Sequence, residues 1–416
     1  MRNPRGCPIR TTERRIMVSA MMRRTERAMG IPGRILRHLR LSRGSHRRSR
    51  PASPPFLILF INSICNLACD HCFYWKELNQ RDDLTNAELE ALSKSLGRIE
   101  NLNLSGGEPF LREDFAEVVG HFIRNNGVRR VYCPTNGYFA ERTISALEEL
   151  FRSPTLDSFT AELSLDGMPE FHDAFRGNPR SFEKAMETYD ALAELQSREP
   201  RLSIHANSTA TGENVDEIKR LTTFLHDRCP RMEHHNIAML RGERKRPTLT
   251  GPGLQAYREL IDYVRELWSD REAGRHGGIV EPMLHWGKLK IARAQAQAIP
   301  CTAGLLTGVV YANGDVSVCE QHDPIGNLRS QTFPEIWNSP RAQALRDSIA
   351  CKDCFCTNEV FLWPSIVFRP LQLLKAYWGS RAWRRPAPLP PENRVDWTSS
   401  APPSRPHDAH LGRPRP

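Results

Sequence analysis

Three cysteines stand close together in the stretch CNLACDHCF, at Cys65, Cys69 and Cys72. Thiols at intervals of four and three residues can bind one metal centre from a single loop. Structural zinc takes four protein ligands, and the nearby His71 lies directly beside Cys72, so its ring would have to fold back to reach the metal. An iron–sulfur cubane suits the spacing better, because it presents several irons and can keep one of them without a thiolate.

A second group of cysteines lies in the C-terminal part of the chain, at Cys301, Cys319, Cys351, Cys354 and Cys356. The chain has eleven cysteines and no recognisable secretory signal, from which we expect a reducing, cytoplasmic location. Clustered thiols in such a compartment bind metal more often than they form disulfides. The isolated Cys133 and Cys229 are expected to be buried spectators.

The first cysteine group follows a short apolar run, Phe56 to Asn62, that is typical of a buried strand. Apolar runs and helical periods then alternate as far as residue 247, and Thr85 and Glu88 mark one helix start at capping-box spacing. Six strands separated by helices predict an α/β fold with a parallel sheet and right-handed crossovers. The predicted architecture is an open, partial (β/α)6 TIM-like barrel.

Ligands in such folds bind at the carboxyl ends of the strands. The loops that follow the predicted strands hold the cysteines, the GGEP stretch from Gly106 to Pro109, and the stretches TNG and DGMPEFHDAFRG. We therefore expect the cysteines and the glycine pair to share one mouth of the barrel.

The Cys-x3-Cys-x2-Cys motif after the first strand, with Gly-Gly-Glu-Pro after the second, resembles the radical S-adenosylmethionine (SAM) superfamily over residues 55–245. The resemblance implies that the three cysteines ligate a [4Fe-4S] cluster, whose fourth iron binds the amino and carboxylate groups of SAM. It also implies contacts to this cofactor from His71 near the adenine, from Gly106, Gly107, Glu108 and Pro109, and from Ser164 after the fourth strand.

In this interpretation the glycines let the backbone approach the ligand, and Glu108 accepts from its ammonium group. The same residues also have plain structural interpretations. GGEP can be a turn ended by a proline, and the Ser164 hydroxyl can bond to the strand end. Loop-stabilising hydrogen bonds or ligand contacts explain four polar residues of the next segment, Asp166, His172, Asp173 and Arg176.

The second cysteine group surrounds a predicted hairpin, GVVYANGDVSVCE, in which Asn313-Gly314 indicates a type I′ turn. The spacing Cys301-x12-Gly314-x4-Cys319, with a Cys-x-x-Cys further on, resembles the auxiliary-cluster domain SPASM. Five cysteines fit its short, one-cluster form, called Twitch, better than the full form.

This second resemblance implies an auxiliary [4Fe-4S] cluster saturated by four thiolates, Cys301, Cys319, Cys351 and Cys354. A saturated cluster cannot coordinate substrate, which favours an electron relay. Cys356 competes with Cys354 for one position, so the ligand set stays open. Zinc is the alternative metal here, because two separated pairs are typical of a zinc ribbon.

The resemblance as a whole implies cleavage of SAM to a 5′-deoxyadenosyl radical, which abstracts hydrogen from a substrate in a water-excluding barrel. An auxiliary cluster that accepts the spare electron favours dehydrogenation, or modification of a small-molecule, peptide, sugar or lipid-linked substrate, with flavodoxin or ferredoxin as electron donor. The base is left open, because His234 and His235 can equally be packing residues. The alternative is a non-catalytic iron–sulfur or zinc scaffold whose basic arm binds an anion.

The formal charge of +10 is concentrated near the start of the chain. Residues 1–50 hold 15 arginines and two acids, a local charge of +13, which leaves −3 for the remainder and gives no reason to expect nucleic-acid binding by the body. We predict that residues 1–50 are a disordered basic leader or an over-long start. Residues 384–416, with nine prolines, are predicted as a disordered tail.

Between these ends we predict three units: a radical SAM core at 55–247, a helical linker at 248–298 and a SPASM- or Twitch-like unit at 299–360. An amphipathic, aromatic and basic segment follows at 361–383. This segment either docks onto the barrel or lies on a membrane surface, which would suit a lipid-linked substrate.

Overall fold

The computed structural model describes residues 31–46, 52–272 and 277–382. Its strands are β1 Phe56–Asn62, β2 Asn101–Gly106, β3 Arg130–Thr135, β4 Ser158–Ser164, β5 Leu202–Ala210, β6 His234–Met239, β7 Thr307–Val310, β8 Asp315–Ser317 and β9 Gly326–Asn327. They form one nine-stranded sheet in the order β6-β5-β4-β3-β2-β1-β7-β8-β9. Neighbours from β6 to β7 are parallel, whereas β8 and β9 are antiparallel.

The helices are α1 Ile31–Gly44, α2 Asn86–Ser95, α3 Phe115–Asn126, α4 Ala140–Leu150, α5 Pro169–Arg176, α6 Ser181–Arg198, α7 Val215–Arg228, α8 Leu254–Leu267, α9 Ser269–Glu272, α10 Gly277–Ala294, α11 Phe333–Trp337, α12 Pro340–Cys351, α13 Glu359–Val367 and α14 Pro370–Ala382, with a 3-10 turn at Pro109–Leu111. Helices alternate with strands from β1 to β6, which confirms the predicted (β/α)6 unit. The capping box of Thr85 and Glu88 is present at the start of α2.

The helical linker predicted at 248–298 contains α8, α9 and α10. The apolar stripe of α8 is buried at Tyr257, Leu260, Ile261 and Val264. None of the helices within the described residues has the length and hydropathy of a membrane-spanning helix.

The predicted hairpin of the C-terminal unit is present as β7 and β8, but its turn is not of type I′. That turn needs positive φ at both central residues, whereas Gly314 has a φ of +88° and Asn313 is outside the positive region. The Gly314 N–H donates to the Tyr311 carbonyl (3.0 Å) and the Tyr311 N–H to the Asp315 carbonyl (2.8 Å). These bonds describe a type I turn closed by a glycine bulge.

The C-terminal unit shares its sheet with the barrel. β7 pairs in parallel with β1, from Phe56 opposite Thr307 to Leu59 opposite Val310. β1 therefore has a strand on each edge, and all seven of its residues are buried. The local sequence pattern changes near residue 299, where we predicted a domain boundary. The strands on the two sides of this position nevertheless belong to one sheet.

The prediction of a disordered leader is wrong for part of residues 1–50, because residues 31–44 form helix α1. Leu41 on this helix is buried in an apolar cluster with Phe56, Leu306 and Phe368. Arg37 donates to the Glu100 carboxylate at 2.6 Å. These partners lie far along the chain, so local charge alone did not indicate the helix. Residues 1–30, 47–51 and the predicted tail at 384–416 lie outside the described residues.

The amphipathic segment predicted at 361–383 is divided between two helices. α13 docks onto the body through buried Phe361, Leu362 and Ile366. α14 buries Ala376 and Ser380, half-buries Leu373 and Tyr377, and exposes Leu371, Leu374 and Trp378.

Candidate functional site

A cavity of about 880 Å³ runs along the inside of the barrel, from Phe56, Asn101 and Ser158 at the amino ends of their strands to the loops at the carboxyl ends. Alternating residues of β5 show how it is formed: Leu202, Ile204 and Ala206 are fully buried on one face, whereas His205 and Asn207 line the cavity on the other. Every residue predicted for the first site also lines this cavity: Cys65, Cys69, His71, Cys72, Gly106, Gly107, Glu108, Pro109 and Ser164. The structure thus brings the predicted set together around one space.

The cysteine loop between β1 and α2 is tied to its surroundings by backbone hydrogen bonds. The Cys65 N–H donates to Asn79 Oδ1 (3.0 Å), and the N–H groups of Ala68 and Asp70 donate to the carbonyls of Arg176 (3.1 Å) and Phe175 (3.0 Å). The loop is therefore positioned by contacts with α5, a helix that follows the fourth strand of the sheet.

Burial raises the pKa of the Cys65 thiol to about 12 and that of Cys72 to about 11. A cationic metal centre is the usual means of holding such thiols as thiolates. The Leu67 N–H donates to Cys65 Sγ at 3.5 Å, the type of bond that tunes cluster thiolates. Among the described residues, no three His, Cys, Asp or Glu side chains converge on a single ion position. Three thiols of one loop that line a single cavity are a donor set that suits a [4Fe-4S] cluster.

The glycine pair is required by the close packing of the chain on itself. The N–H groups of Gly107 and Glu108 donate to the carbonyls of Asn62 (3.0 Å) and Ile64 (2.7 Å). A Cβ at Gly106 would overlap the Asn62 carbonyl oxygen, and one at Gly107 would overlap that of Ile64. Gly106 also has a φ of +120°, which favours glycine. The glycine pair therefore lets its backbone pack closely against the start of the cysteine loop.

The Glu108 side chain is buried and already engaged by its own chain. It accepts hydrogen bonds from the hydroxyl of Thr135 (2.7 Å) and from the N–H groups of Asn136 (2.7 Å) and Phe110 (3.2 Å). Burial nevertheless raises its pKa to about 7. A carboxylate has about four acceptor positions, so one is left for a ligand. The main contribution of Glu108 is to join the loops after β2 and β3.

His71 is held between α5 and a buried ion pair. Its ring stacks on Phe175 with centroids 5.0 Å apart, and its Nε2 is 3.8 Å from Asp166 Oδ2. Asp166 accepts from Arg176 Nη2 at 2.7 Å, and the Arg176 side chain reaches the cavity wall. The His71 Nδ1 is buried without a hydrogen-bond partner among the described residues.

The remaining polar residues of this segment separate into two roles. Asp173 accepts from the N–H groups of Arg180 (2.7 Å) and Phe182 (2.8 Å), which stabilises the loop before α6. Likewise, the His172 Nδ1 accepts from the Asp166 N–H at 3.2 Å. The loop-stabilising interpretation holds for these two residues, whereas Arg176 faces the cavity.

The two histidines of β6 also differ. His235 is buried between Ser208 (2.8 Å) and Thr222 (2.9 Å), and burial lowers its pKa to about 3. His234 lines the cavity, with Nδ1 at 2.6 Å from Glu272 Oε1. Burial opposes its charged form, but the Glu272 bond and nearby carboxylates raise the pKa of His234 overall.

A group of carboxylates inside the barrel was not among the predicted site residues. Glu162 in the middle of β4, Glu281 on α10 and Glu359 on α13 all line the cavity. Burial, then the charges of Glu359 and Glu281, raise the pKa of Glu162 to about 7. Glu162 has no hydrogen bond or ion pair within the described parts of the chain, whereas Glu359 pairs with buried Lys288. An acid within the apolar run FTAELSL was the signal that could have identified this position.

The second cysteine group lines a smaller cavity of about 30 Å³ through four thiols, those of Cys301, Cys319, Cys354 and Cys356. The Gln297 side chain joins two parts of this wall, because its Oε1 accepts from the Cys301 N–H (3.2 Å) and its Nε2 donates to the Cys354 carbonyl (3.3 Å). Burial, then the thiols of Cys356 and Cys301, raise the pKa of Cys319. The Ala303 N–H donates to Cys301 Sγ at 3.4 Å.

Cys351 does not join this group. It is exposed at the end of α12, and the chain turns away at Lys352, which has a φ of +69°. The set favoured in the sequence analysis, which included Cys351 and left Cys356 as a competitor, therefore differs from the set that the structure brings together.

The two cavities adjoin through consecutive residues. Cys319 lines the smaller cavity and Glu320 the larger one. The Glu320 carboxylate accepts from Asn358 Nδ2 (2.8 Å) and is paired with Arg241 (3.3 Å), another wall residue of the larger cavity. The second thiol group is therefore next to the space that the first group opens into.

Comparisons with known proteins agree with this arrangement. Residues 59–225 match the family model of the radical SAM superfamily, and residues 301–355 match SPASM, an iron-sulfur cluster-binding domain. Two solved structures share the fold: Streptococcus suis SuiB (TM-score 0.50, 17% identity, 71% of this chain and 68% of SuiB) and native anSMEcpe with bound AdoMet (TM-score 0.51, 16% identity, 79% of this chain and 96% of that one).

Curated relatives include Fe-coproporphyrin III synthase of Methanosarcina barkeri, 26% identical over 308 residues, which are 68% of this chain and 73% of the synthase. Mycofactocin maturase MftC of Mycobacterium ulcerans is 28% identical over 308 residues, 70% of this chain and 77% of the maturase. A shorter match to GTP 3′,8-cyclase of Pasteurella multocida is 31% identical over 138 residues, 31% of this chain and 41% of the cyclase. The chain thus matches less than half the length of that cyclase.

Proposed function

The chain is a radical SAM protein with a C-terminal SPASM domain, and on that premise we propose that it oxidises or rearranges a substrate held in the barrel cavity after hydrogen abstraction. The cluster and SAM, when bound, supply the 5′-deoxyadenosyl radical for this step. We assign the first cluster to Cys65, Cys69 and Cys72. The observation that carries the proposal is that both thiol groups lie beside one cavity of about 880 Å³.

The residues of this chain have separate tasks in the proposed reaction. The glycine pair and Glu108 fix the cysteine loop against the ends of β2 and β3, with one carboxylate acceptor position left for the SAM ammonium. His71, held on Phe175, offers a flat surface beside the cavity for the adenine. The Arg176 guanidinium, paired with Asp166, faces the same space.

We assign the auxiliary cluster to Cys301, Cys319, Cys354 and Cys356. Four thiolates leave it no open iron, which suits electron transfer. Its position beside Glu320 supports a role as acceptor of the electron that remains when a substrate radical is oxidised. A flavodoxin or ferredoxin in a reducing compartment such as the cytoplasm would supply the first electron.

For the substrate we propose a peptide side chain or a small molecule of similar size. A cavity of about 880 Å³ is within the range of small-molecule sites. The relatives whose printed names describe maturation, MftC and the sporulation killing factor maturation protein SkfB of Bacillus subtilis, support a peptide substrate. The synthases among the relatives support the small molecule.

The test uses full-length protein prepared anaerobically. We expect about eight irons and eight sulfides per chain, and 5′-deoxyadenosine formation when SAM and a strong reductant are added. A Cys69→Ala variant should lose about half of the iron and all of the cleavage. Full iron content without 5′-deoxyadenosine would instead support the non-catalytic scaffold, and about four irons per chain or fewer would contradict the assignment of two cubanes.

A further inference from the structure

Two helices at the ends of the described chain expose large apolar side chains. On α14, Leu371, Leu374 and Trp378 have exposed fractions of 72, 56 and 64%. On α1, Ile35, Leu36 and Leu39 have exposed fractions of 55, 68 and 48%. Six exposed large apolar residues on two short helices exceed the single exposed residues that are normal on a protein surface.

The end of α1 is held against the segment that leads into α14. The His38 ring on α1 lies 5.3 Å from the ring of Phe368, two residues before α14 begins. Arg369 Nη2 donates to the Ser45 carbonyl at 2.8 Å, and the Ser45 hydroxyl donates to the Phe368 carbonyl at 3.2 Å. These bonds join the residue that follows α1 to the residues that precede α14, so the two helices meet at these ends.

The opposite face of α14 is packed against α10. Ala376 is fully buried there, Leu373 and Tyr377 contact the same apolar cluster, and Gly379 lies so close to Trp286 that a Cβ would overlap the indole. The exposed face is therefore the outer side of a docked helix, and its apolar residues are not needed to hold the helix in place.

Residues 31–46 and 360–382 contain no aspartate or glutamate and hold seven arginines and lysines. Arg37 and Arg40 are paired with Glu100 of the barrel, and Arg369 donates to backbone carbonyls, so these three cations are already engaged within the protein. Arg43 and Lys375 are exposed and have no ion-pair partner within the described residues. Arg381 lies over the Tyr377 ring, 4.3 Å from its centroid, at the end of α14. Leucine, isoleucine and tryptophan interspersed with unpaired cations suit the interface of an anionic bilayer.

We propose that the outer faces of α1 and α14 form a docking surface for an anionic lipid membrane. The six apolar side chains enter the interfacial layer of one leaflet, and the cations contact lipid phosphate and carboxylate groups. A partner protein that buried this face would need its own acidic, apolar surface, whereas an anionic leaflet offers phosphate and carboxylate groups together with an apolar layer. This surface goes beyond the proposed reaction, because the six apolar residues, Arg43, Lys375 and Arg381 do not line the barrel cavity.

The test is sedimentation of the full-length, iron-loaded protein with vesicles. We expect binding to phosphatidylcholine vesicles that contain about one third phosphatidylserine, weak binding to phosphatidylcholine alone, and weaker binding as salt is raised. The double variant Leu374→Ser/Trp378→Ser should bind about tenfold more weakly. Tyr263→Ser, which removes an aromatic side chain that is 40% exposed on α8, is the matched control and should bind as the unmodified protein does.

A second pair of variants keeps the test decisive if the apolar changes disturb folding. Arg43→Glu and Lys375→Glu alter exposed side chains and should each weaken binding to anionic vesicles while iron content and SAM cleavage stay unchanged. Equal binding by the double variant and the control would overturn the proposal, as would binding that ignores lipid charge. A stable dimer that the double variant converts to monomer would show that a second copy covers this face instead.

Discussion

At the residue scale, burial separates cysteines that the sequence leaves equivalent. Cys351, Cys354 and Cys356 lie within six residues of each other in CKDCFC, and spacing alone favoured the first two. In the structure Cys351 ends α12 in contact with solvent, and the left-handed Lys352 redirects the chain so that the other two thiols reach the smaller cavity.

This difference predicts the iron content of two variants. Cys356→Ala should retain about four irons per chain in place of about eight, because the auxiliary cluster loses one of four ligands. Cys351→Ala should retain about eight. Iron and sulfide analysis of anaerobic protein measures both, and the reverse order would show that Cys351 is the ligand.

Glu162 is a second residue whose role depends on its surroundings. Its pKa, raised by burial from 4.5 to about 7, means that the folded protein retains a proton that the unfolded chain releases. Stability therefore falls as pH rises from about 4.5 to 7, and the full cost persists above that range. A carboxylate kept in this state inside a polar cavity is ready to exchange a proton near neutral pH.

We predict that Glu162→Gln is more stable than the unmodified protein at pH 8 by about 1–3 kcal/mol, and equally stable near pH 4.5. The glutamine has similar size and no charge to bury. Thermal unfolding of both proteins across this pH range measures the difference. Glu149→Gln on the exposed side of α4 is the control, and its stability relative to the unmodified protein should not change with pH in this way. A stability difference for Glu162→Gln that is the same at every pH would contradict the raised pKa of Glu162.

At the element scale, the candidate site depends on how loops pack at the strand ends. β1 ends in the cysteine loop and β2 in the glycine pair, and the N–H groups of Gly107 and Glu108 donate to the carbonyls of Asn62 and Ile64. Glu108 then joins β2 to β3 through Thr135 and Asn136. The position of the thiols is therefore set by three neighbouring strands together.

This packing predicts that Gly106→Ala loses the first cluster. The added Cβ meets the Asn62 carbonyl, a backbone atom that cannot move aside, and φ is also unfavourable. We expect retention of only about four irons and a loss of stability above about 3 kcal/mol. Gly127→Ala is the control, because Gly127 has a φ of +64° but no atom lies within 4 Å of an added Cβ. This variant should lose only about 1 kcal/mol of stability through the unfavourable φ, and it should keep all its iron.

At the scale of the whole molecule, the barrel and the SPASM unit are one sheet. β7 covers the edge of β1 over four residue pairs, from Phe56 to Leu59. Helix α1 and the segment before α14 cover the same end of β1 through Leu41 and Phe368. Both ends of the described chain thus stabilise the strand that leads into the cysteine loop.

We predict that a chain ending at Ala298 is insoluble, because it leaves β1 with an unpaired, apolar edge that can pair with other chains. A chain ending at Ala382 keeps every described contact and should remain soluble with about eight irons. Expression of both and analysis of the soluble fraction decide between them. A soluble, monomeric product ending at Ala298 would show that the barrel does not need β7.

The sequence by itself determined the features that depend on neighbouring residues. The Cys65-to-Cys72 motif, the GGEP stretch, the alternation of six strands with helices and the hairpin around Asn313 are set by short-range spacing and torsion preferences. These features were enough to indicate a radical SAM fold with a SPASM domain, which the comparisons confirm.

The tertiary structure alone decided which distant residues meet. Pairing of β7 with β1, the burial of helix α1 on Phe56 and Phe368, the convergence of Cys356 with Cys301 and the placing of Glu162 inside the cavity all join residues far apart in the chain. Local patterns named some of these residues as candidates but could not decide the contacts, because each contact depends on how whole elements pack and on which side chains that packing removes from water.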